Sequence, residues 1–338
     1  MVEIDIFGNP VETKKKPPEP LPVPTEPIDI VIPWVNTQSL SWQEQYQHFK
    51  RLELGIASDA RNAFGETTFR DFETLPYWFR GIEHSCPWVN KIFLILQDET
   101  HVPEWLDVNN PKLRIVYHHE YIPEELLPTF NSMEILCFVP LIKDLSVNYI
   151  VANDDTYFLN SIRRDRFFTL DNKPILPDSG IYKKKSYVAG VGCEWGLNID
   201  QAYEIEKKYG NPQIKYGVVH LPMPHNKLDD LEVLQDNWDA IYGSFTISHF
   251  RNRKNVNDST LYVNIARRTG RCFIRKYAYR NCMFFSLRST RRFDGLEKYD
   301  VICINDDNSI DFNDIKRKLH AFFQKKFPQP SSFERTEQ

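Results

Sequence analysis

The chain has 338 residues, 41% of them hydrophobic and 26% charged, enough for a sizeable core in one large domain or two tightly joined ones. A formal net charge of -4 argues against nucleic acid as an obligatory partner, although Arg251-Asn252-Arg253-Lys254 and Arg267-Arg268 could line a local basic groove. The six cysteines (Cys86, Cys137, Cys193, Cys272, Cys282, Cys303) form no C-x-x-C pair, and neither a membrane-span-length apolar run nor a signal-peptide core is present; both point to a cytoplasmic protein with reduced thiols rather than a zinc or spanning protein.

Residues 1–27 read as a disordered, Pro-rich tail, with Lys14-Lys15-Lys16 followed by closely spaced prolines. Ile28 to Asn36 is nearly all apolar, as a central parallel strand should be. A helix over about Ser41 to Leu54 follows, then Arg70 and Asp71 in the loop before a second helix whose N-cap is Thr74. Held there, an Arg and an Asp could bind a phosphate or a hydroxyl, or simply pair with other charges at the surface. Lys91 to Gln97 and Leu113 to Tyr117 are further strands. His118 and His119 after the latter face opposite ways, which argues against one metal between them.

Asn131-Ser132-Met133-Glu134 opens a helix-like apolar run. Asn131 as N-cap with Glu134 three residues on resembles a capping box; alternatively, Glu134 is a carboxylate facing a pocket. Tyr149 to Ala152 is a short β-prone run that stops abruptly in Asn153-Asp154-Asp155. Adjacent carboxylates after a buried strand sit where open α/β sheets bind ligands, and hard oxygens there suit Mg²⁺ or Mn²⁺ held with a substrate's phosphates. The bland alternative is a turn, which Asn and Asp also favour.

Beyond Asp155 the pattern loosens into loops and short strands to about residue 195, then a helix over Ile199 to Tyr209. Val218 to His225 is extended and Pro-punctuated, leading into a helix around Leu228 to Ile241. His225, directly after Pro224 and before a helix, is the histidine best placed to face a cleft. Arg251 precedes a helix over about Ser259 to Thr269, a position suited to bidentate phosphate contact. Asp300 to Ile304 is a last strand, ending in Asn305-Asp306-Asp307. If it returned to the same sheet, both Asn-Asp-Asp tips would line one pocket. A closing helix spans Phe312 to Phe327.

Four separated segments resemble the conserved regions of the Stealth family of sugar-phosphate transferases. They are Ile28 to Asn36; the stretch from Phe69-Arg70-Asp71 through Pro87 to Phe93, Pro103 to Leu106, Leu127 to Ser132 and Asn153 to Asp155; Met223-Pro224-His225 with Phe250-Arg251; and Ile302 to Asp306 with Phe327 to Glu334. The resemblance implies transfer of a sugar 1-phosphate from a UDP-sugar to a hydroxyl of a glycan or lipid-linked glycan, with release of UMP. It implies Glu134, Asp155, His225 and Arg251 as catalytic residues, Asp154 and Asp155 as ligands of Mg²⁺ or Mn²⁺, and Asn36, Arg70, Asp71, Asn131, Ser132, Asn153, Asn305 and Asp306 as substrate-binding. It also implies capsular or exopolysaccharide synthesis, in which peripheral association with an assembly complex at the inner face of the membrane is the expected setting. Two departures bear on the donor: Thr37-Gln38-Ser39 stands where the family continues Gly-x-Asp, and Asn255 stands where it has an acid.

The expected architecture is α/β, with a mainly parallel, Rossmann-like or nucleotide-sugar-transferase-like central sheet flanked by helices. Residues 28–334 would form one interwoven catalytic domain, with a mixed, substrate-facing insertion over 160–300. A glycosyltransferase releasing UDP, or a non-catalytic polysaccharide-assembly binding protein, are the competing readings.

Overall fold

The computed structural model describes residues 24–53, 69–178, 194–211, 220–276, 278, 280–287, 293–306 and 310–335; most of the expected N-terminal tail, Cys193 and Asp307 lie outside them. Its centre is a five-stranded sheet in the order β3-β2-β1-β4-β7. Strands β1 (Ile28–Pro33), β2 (Ile92–Leu96), β3 (Leu113–Tyr117) and β4 (Asn148–Val151) run parallel, and β7 (Met223–Asn226) closes the edge antiparallel to β4. The mainly parallel α/β expectation therefore holds.

Helices on both faces explain why β1 and β2 carry almost no polar side chains. Ile28, Ile30 and Ile32 pack with Trp78 and Phe79 of α2 (Leu75–Ser85) and Phe323 of α8 (Phe312–Lys326). Val31, Phe93 and Ile95 face the other layer, built from α3 (Ser132–Cys137), α4 (Glu194–Glu206), α5 (Lys227–Asp236), α6 (Trp238–Phe245) and α7 (Asp258–Thr269). The polar exception, Asp29, is buried and satisfied: it accepts from Asn90 Nδ2 and from the Lys91 and Ser146 amides at 2.8, 3.1 and 2.7 Å. The first helix, α1 (Leu40–Glu53), lies over an aromatic cluster of Trp42, Tyr46, Phe130 and Phe250.

Three expectations need correction. The last strand, β10 (Val301–Asn305), does not return to the central sheet, because β7 occupies the outer edge of β4. Instead the chain turns at Asn153 to Asp155 into β5 (Thr156–Phe158), and β10 pairs with β5 antiparallel and with β9 (Cys282–Ser286) parallel in a separate sheet. The helix-like run from Asn131 is only the short α3, since Pro140 breaks the pattern into a 3₁₀ turn. The helix expected over Leu228 to Ile241 is two, divided at Asn237, whose side chain bonds back to the Val233 carbonyl at 2.9 Å.

The 160–300 segment contributes the remaining pair, β6 (Ile175–Pro177) with β8 (Phe273–Arg275), parallel to each other. The C-terminal residues fold back across the base of the molecule. Phe333 O accepts from the Asp107 amide and the Arg335 amide donates to Trp105 O, both at 2.8 Å.

Candidate active site

Where β4 ends, the backbone turns sharply and leaves three carboxylates close together. Asp154 opens toward solvent while the walls of the cleft crowd around it. That crowding, with the like charges of Asp155 and then Asp71, pushes its carboxyl up to about 7. Asp71 is raised in turn, mainly by burial, although it accepts from the Glu73 amide at 2.6 Å and from the Trp34 side chain. Negative charge is thus concentrated at the carboxyl end of the central strands, as expected of a ligand site in such a sheet.

Asp155 is gripped from two directions. His220 Nε2 lies 3.2 Å from its Oδ2, and the Cys303 thiol donates to the same oxygen at 3.4 Å. The three ligand-type atoms lie within 4.8 Å of one another. Burial opposes protonation of His220, but the hydrogen bond and charge of Asp155 outweigh it and raise its pKa. Burial raises the Cys303 thiol far above its ordinary value, so it stays protonated and acts as a donor. Asn153 presents its amide 3.1 Å from the same His220 nitrogen, while its carbonyl accepts from Trp78 Nε1 at 3.2 Å. Thus β10 does bring its tip beside Asp155, from a second sheet: the Ile304 amide donates to Asp155 O at 2.8 Å.

Glu134 is fully buried at the start of α3. Asn131 caps this helix as expected, accepting from the Met133 amide at 3.1 Å, but Glu134 does not close a capping box. The Asn131 amide goes to Thr129 Oγ1 instead, at 3.2 Å, and Thr129 Oγ1 also serves as donor to Glu134 Oε2 at 3.0 Å. The other carboxyl oxygen, Oε1, is buried with no hydrogen-bond partner. Burial raises Glu134 well above the ordinary carboxyl range. An orphaned buried oxygen is costly, and one at a candidate site marks a place for a ligand.

His225 pairs in register with Tyr149, six positions before Asp155 on β4, and stacks on its ring at 5.0 Å. Its Nδ1 lies 3.0 Å from Asp230 Oδ2, which also accepts from the Tyr149 hydroxyl at 2.7 Å. Arg251 Nη2 donates to Ser132 Oγ at 2.6 Å, placing the guanidinium at the start of α3. Linking these groups is Asp258, the first residue of α7. Burial pushes it up to about 7, against the opposing charges of His225, Arg251 and His220. Asp258 therefore sits within electrostatic reach of both the His225 side and the Asp155 side.

Other expected residues are engaged elsewhere. Arg70 makes a bidentate pair with Asp306 at 2.9 and 2.8 Å. Asn36 holds the turn after β1, accepting from the Gln38 amide at 3.1 Å. Asn305 ends β10 with its side chain exposed. Asn255, standing in place of an acid, is buried and neutral: its Oδ1 accepts from Asn131 Nδ2 at 2.9 Å and from the Asn252 amide at 2.6 Å. His118 is buried and held neutral by burial, its pKa pushed down to about 3, while His119 is exposed.

Sequence reasoning overlooked His220, Cys303 and Asp258 as partners of this site. Asp258 had a visible signal, an acid in the first turn after the N-cap Asn257. The approach of His220 and Cys303 to Asp155 had none, because both contacts span more than 60 positions.

Comparison with known proteins places these features in context. Residues 68–176 match Stealth protein CR2, conserved region 2, and residues 296–338 match Stealth protein CR4, conserved region 4. The chain is 32% identical to the capsular polysaccharide phosphotransferase WcwK of Streptococcus pneumoniae, over 92% of this chain and 98% of that one. It is 25% identical to the exopolysaccharide phosphotransferase cps2G of Lactiplantibacillus plantarum, over 91% and 96%. Among solved structures, the galactosyltransferase LgtC in complex with donor and acceptor sugar analogs is similar, with a TM-score of 0.40 and 11% identity over 90% of this chain and 98% of that one.

Proposed function

The chain belongs to the Stealth family of capsular and exopolysaccharide phosphotransferases, and on that premise we propose that it transfers a sugar 1-phosphate from a UDP-sugar, such as a UDP-N-acetylhexosamine, to a glycan hydroxyl. A phosphodiester forms and UMP leaves. The observation that carries this reading is the convergence of Asp71, Asp154 and Asp155 at the end of β4, where the crowding of the cleft walls, with the like charges of Asp155 and Asp71, holds Asp154 near 7. Such an excess of oxygen-borne charge fits a divalent cation shared with a diphosphate. Asp154 and Asp155 would hold Mg²⁺ or Mn²⁺ through their oxygens, with the His220 nitrogen in reach of Asp155. The protonated Cys303 is not counted in that set. When bound, the ion supplies neutralisation of the diphosphate and of the departing UMP.

The chain's own residues supply the rest. Attack by the acceptor hydroxyl on the sugar-linked phosphorus makes one P–O bond as the bond to the UMP oxygen breaks, so alignment and charge compensation dominate. Arg251, fixed by Ser132, clamps phosphoryl oxygens. His225 takes the hydroxyl proton on Nε2, its Nδ1 being oriented by Asp230. Glu134, kept protonated by burial, donates to a donor hydroxyl through the oxygen that otherwise has no partner.

The test is to label the phosphate adjoining the sugar. The label is expected in the polymer, as a phosphodiester. Label recovered in UDP, with an unlabelled glycosidic product, would overturn the reading.

A further inference from the structure

A second concavity, of about 300 Å³, lies beyond the end of β5. Its walls include Ser161, Arg163, Asp165, Arg166 and Arg275. Arg163 pairs with Asp165 at 3.1 Å, Arg166 with Asp300 at 3.2 Å, and Arg275 donates to the Asp165 carbonyl at 2.8 Å. Among the described residues the lining carries three guanidinium groups and the carboxylate of Asp165, with Asp300 alongside, and these contacts orient the planar forks. None of these residues belongs to the acidic site at the end of β4.

Strand β9 joins this cleft to the acidic site. Arg166 Nη2 lies 3.1 Å from the Cys282 sulfur at the start of β9. Two residues on, and so on the same face, Phe284 is half exposed. Its ring meets His220 edge-on at 6.1 Å, and His220 is the partner of Asp155. A charged end and an exposed aromatic ring therefore follow one another along the edge strand β9, and His220 carries the line on from Phe284 to Asp155. Another exposed ring, Phe273, lies beneath Arg275 with 6.0 Å between guanidinium carbon and ring centre.

We propose that β9 is the acceptor track. Phe284 stacks a sugar ring, and the cleft of Arg163, Arg166 and Arg275 holds the phosphodiester of a unit added earlier. This rests on the phosphodiester-forming reading above: each linkage made by such an enzyme carries one permanent negative charge, so an extended acceptor is a polyanion and an unextended one is not. The enzyme thereby favours chains that already contain its own product linkage.

The test uses the full chain without donor. Binding is measured for an oligosaccharide with one internal sugar phosphodiester and for its neutral, glycosidically linked counterpart. Wild-type protein is expected to prefer the charged probe by about tenfold, the scale of one charge-assisted contact. Arg163→Ala with Arg275→Ala abolishes that preference. Arg317→Ala with Lys318→Ala, which removes the same charge from α8, preserves it. Phe284→Ala weakens both probes alike. Equal wild-type affinity for the two probes, or equal loss in the α8 double variant, would overturn the proposal. So would arginine-dependent binding of anionic phospholipid vesicles with no binding of the oligosaccharide, which would give the cleft to a lipid headgroup. No donor enters these measurements, so their failure leaves the phosphotransfer reading standing; release of UDP in the transfer assay would instead remove the premise.

Discussion

Asp155 and Asp154 are neighbours with different duties. Asp155 is held by His220 and Cys303, whereas Asp154 is destabilised as an anion by crowding and by like charges. Asp155→Asn is expected to lower turnover by on the order of 10³-fold or more with little change in thermal stability, because it removes charge from the reacting centre and keeps the side chain's shape. Near-wild-type turnover in that variant would remove the proposed metal role. Asp154 yields a pH prediction. Its folded value of about 7 lies above the unfolded value of about 3.9, so the folded state binds the proton more tightly. Without divalent metal, its contribution to stability falls as pH rises from about 4 to about 7 and is fully lost above that. Thermal melts in chelator should show Asp154→Asn more stable than wild type at pH 8, with the gap closing toward pH 4. A constant gap across that range would contradict the assignment. At this scale the sequence was informative where chemistry is local: the Asn-Asp-Asp tip after an apolar strand and the Asn131 cap both followed from neighbouring residues. The orphaned Glu134 oxygen was not legible, since the capping-box pattern at Asn131 and Glu134 is satisfied in composition while Thr129 takes the bond instead.

Among the elements, the transition from β4 to β5 is decisive, because it carries the chain from the central sheet to the second sheet with Asp155 at the bend. Helix α2 must approach β5 closely for this. A Cβ placed on Gly81 would lie 2.6 Å from the Phe158 carbonyl oxygen, closer than side-chain carbons sit to backbone. Gly81→Ala should therefore cost about 1–3 kcal/mol, read as a lowered midpoint in denaturant with unchanged slope. A neutral effect would mean that α2 and β5 separate without penalty. The four parallel strands of the central sheet were readable from apolar runs divided by helical stretches; β5, β8 and β9 were not. The sheet to which β10 belongs was not: a buried strand ending in Asn-Asp looks the same in either sheet, and only the occupation of the β4 edge by β7 decides.

For the molecule as a whole, β1 and the segment that carries Phe333 share one core. Glu334 forms a bidentate pair with Arg80 at 2.8 and 2.6 Å and accepts from the Ser331 amide at 2.7 Å, while buried Phe333 packs with α2. Glu334→Gln should cost about 1–3 kcal/mol, the scale of lost charge-assisted bonds, measured by equilibrium unfolding. An unchanged unfolding free energy would show that the C-terminal fold-back is not a stabilising clasp. No helix among the described residues is long and apolar enough to cross a membrane. Sequence patterns foresaw an α/β molecule with a mainly parallel central sheet. They did not foresee that the N-terminal end of α7, through Asp258, lies within electrostatic reach of His225, Arg251 and His220, because that depends on packing between distant segments. The most direct test of the central claim is nucleotide release from a panel of UDP-sugars with Mg²⁺ or Mn²⁺ and a polysaccharide acceptor, resolving UMP from UDP. Metal-dependent UMP, lost in Asp155→Asn, is the expected result; UDP as the released nucleotide would contradict it.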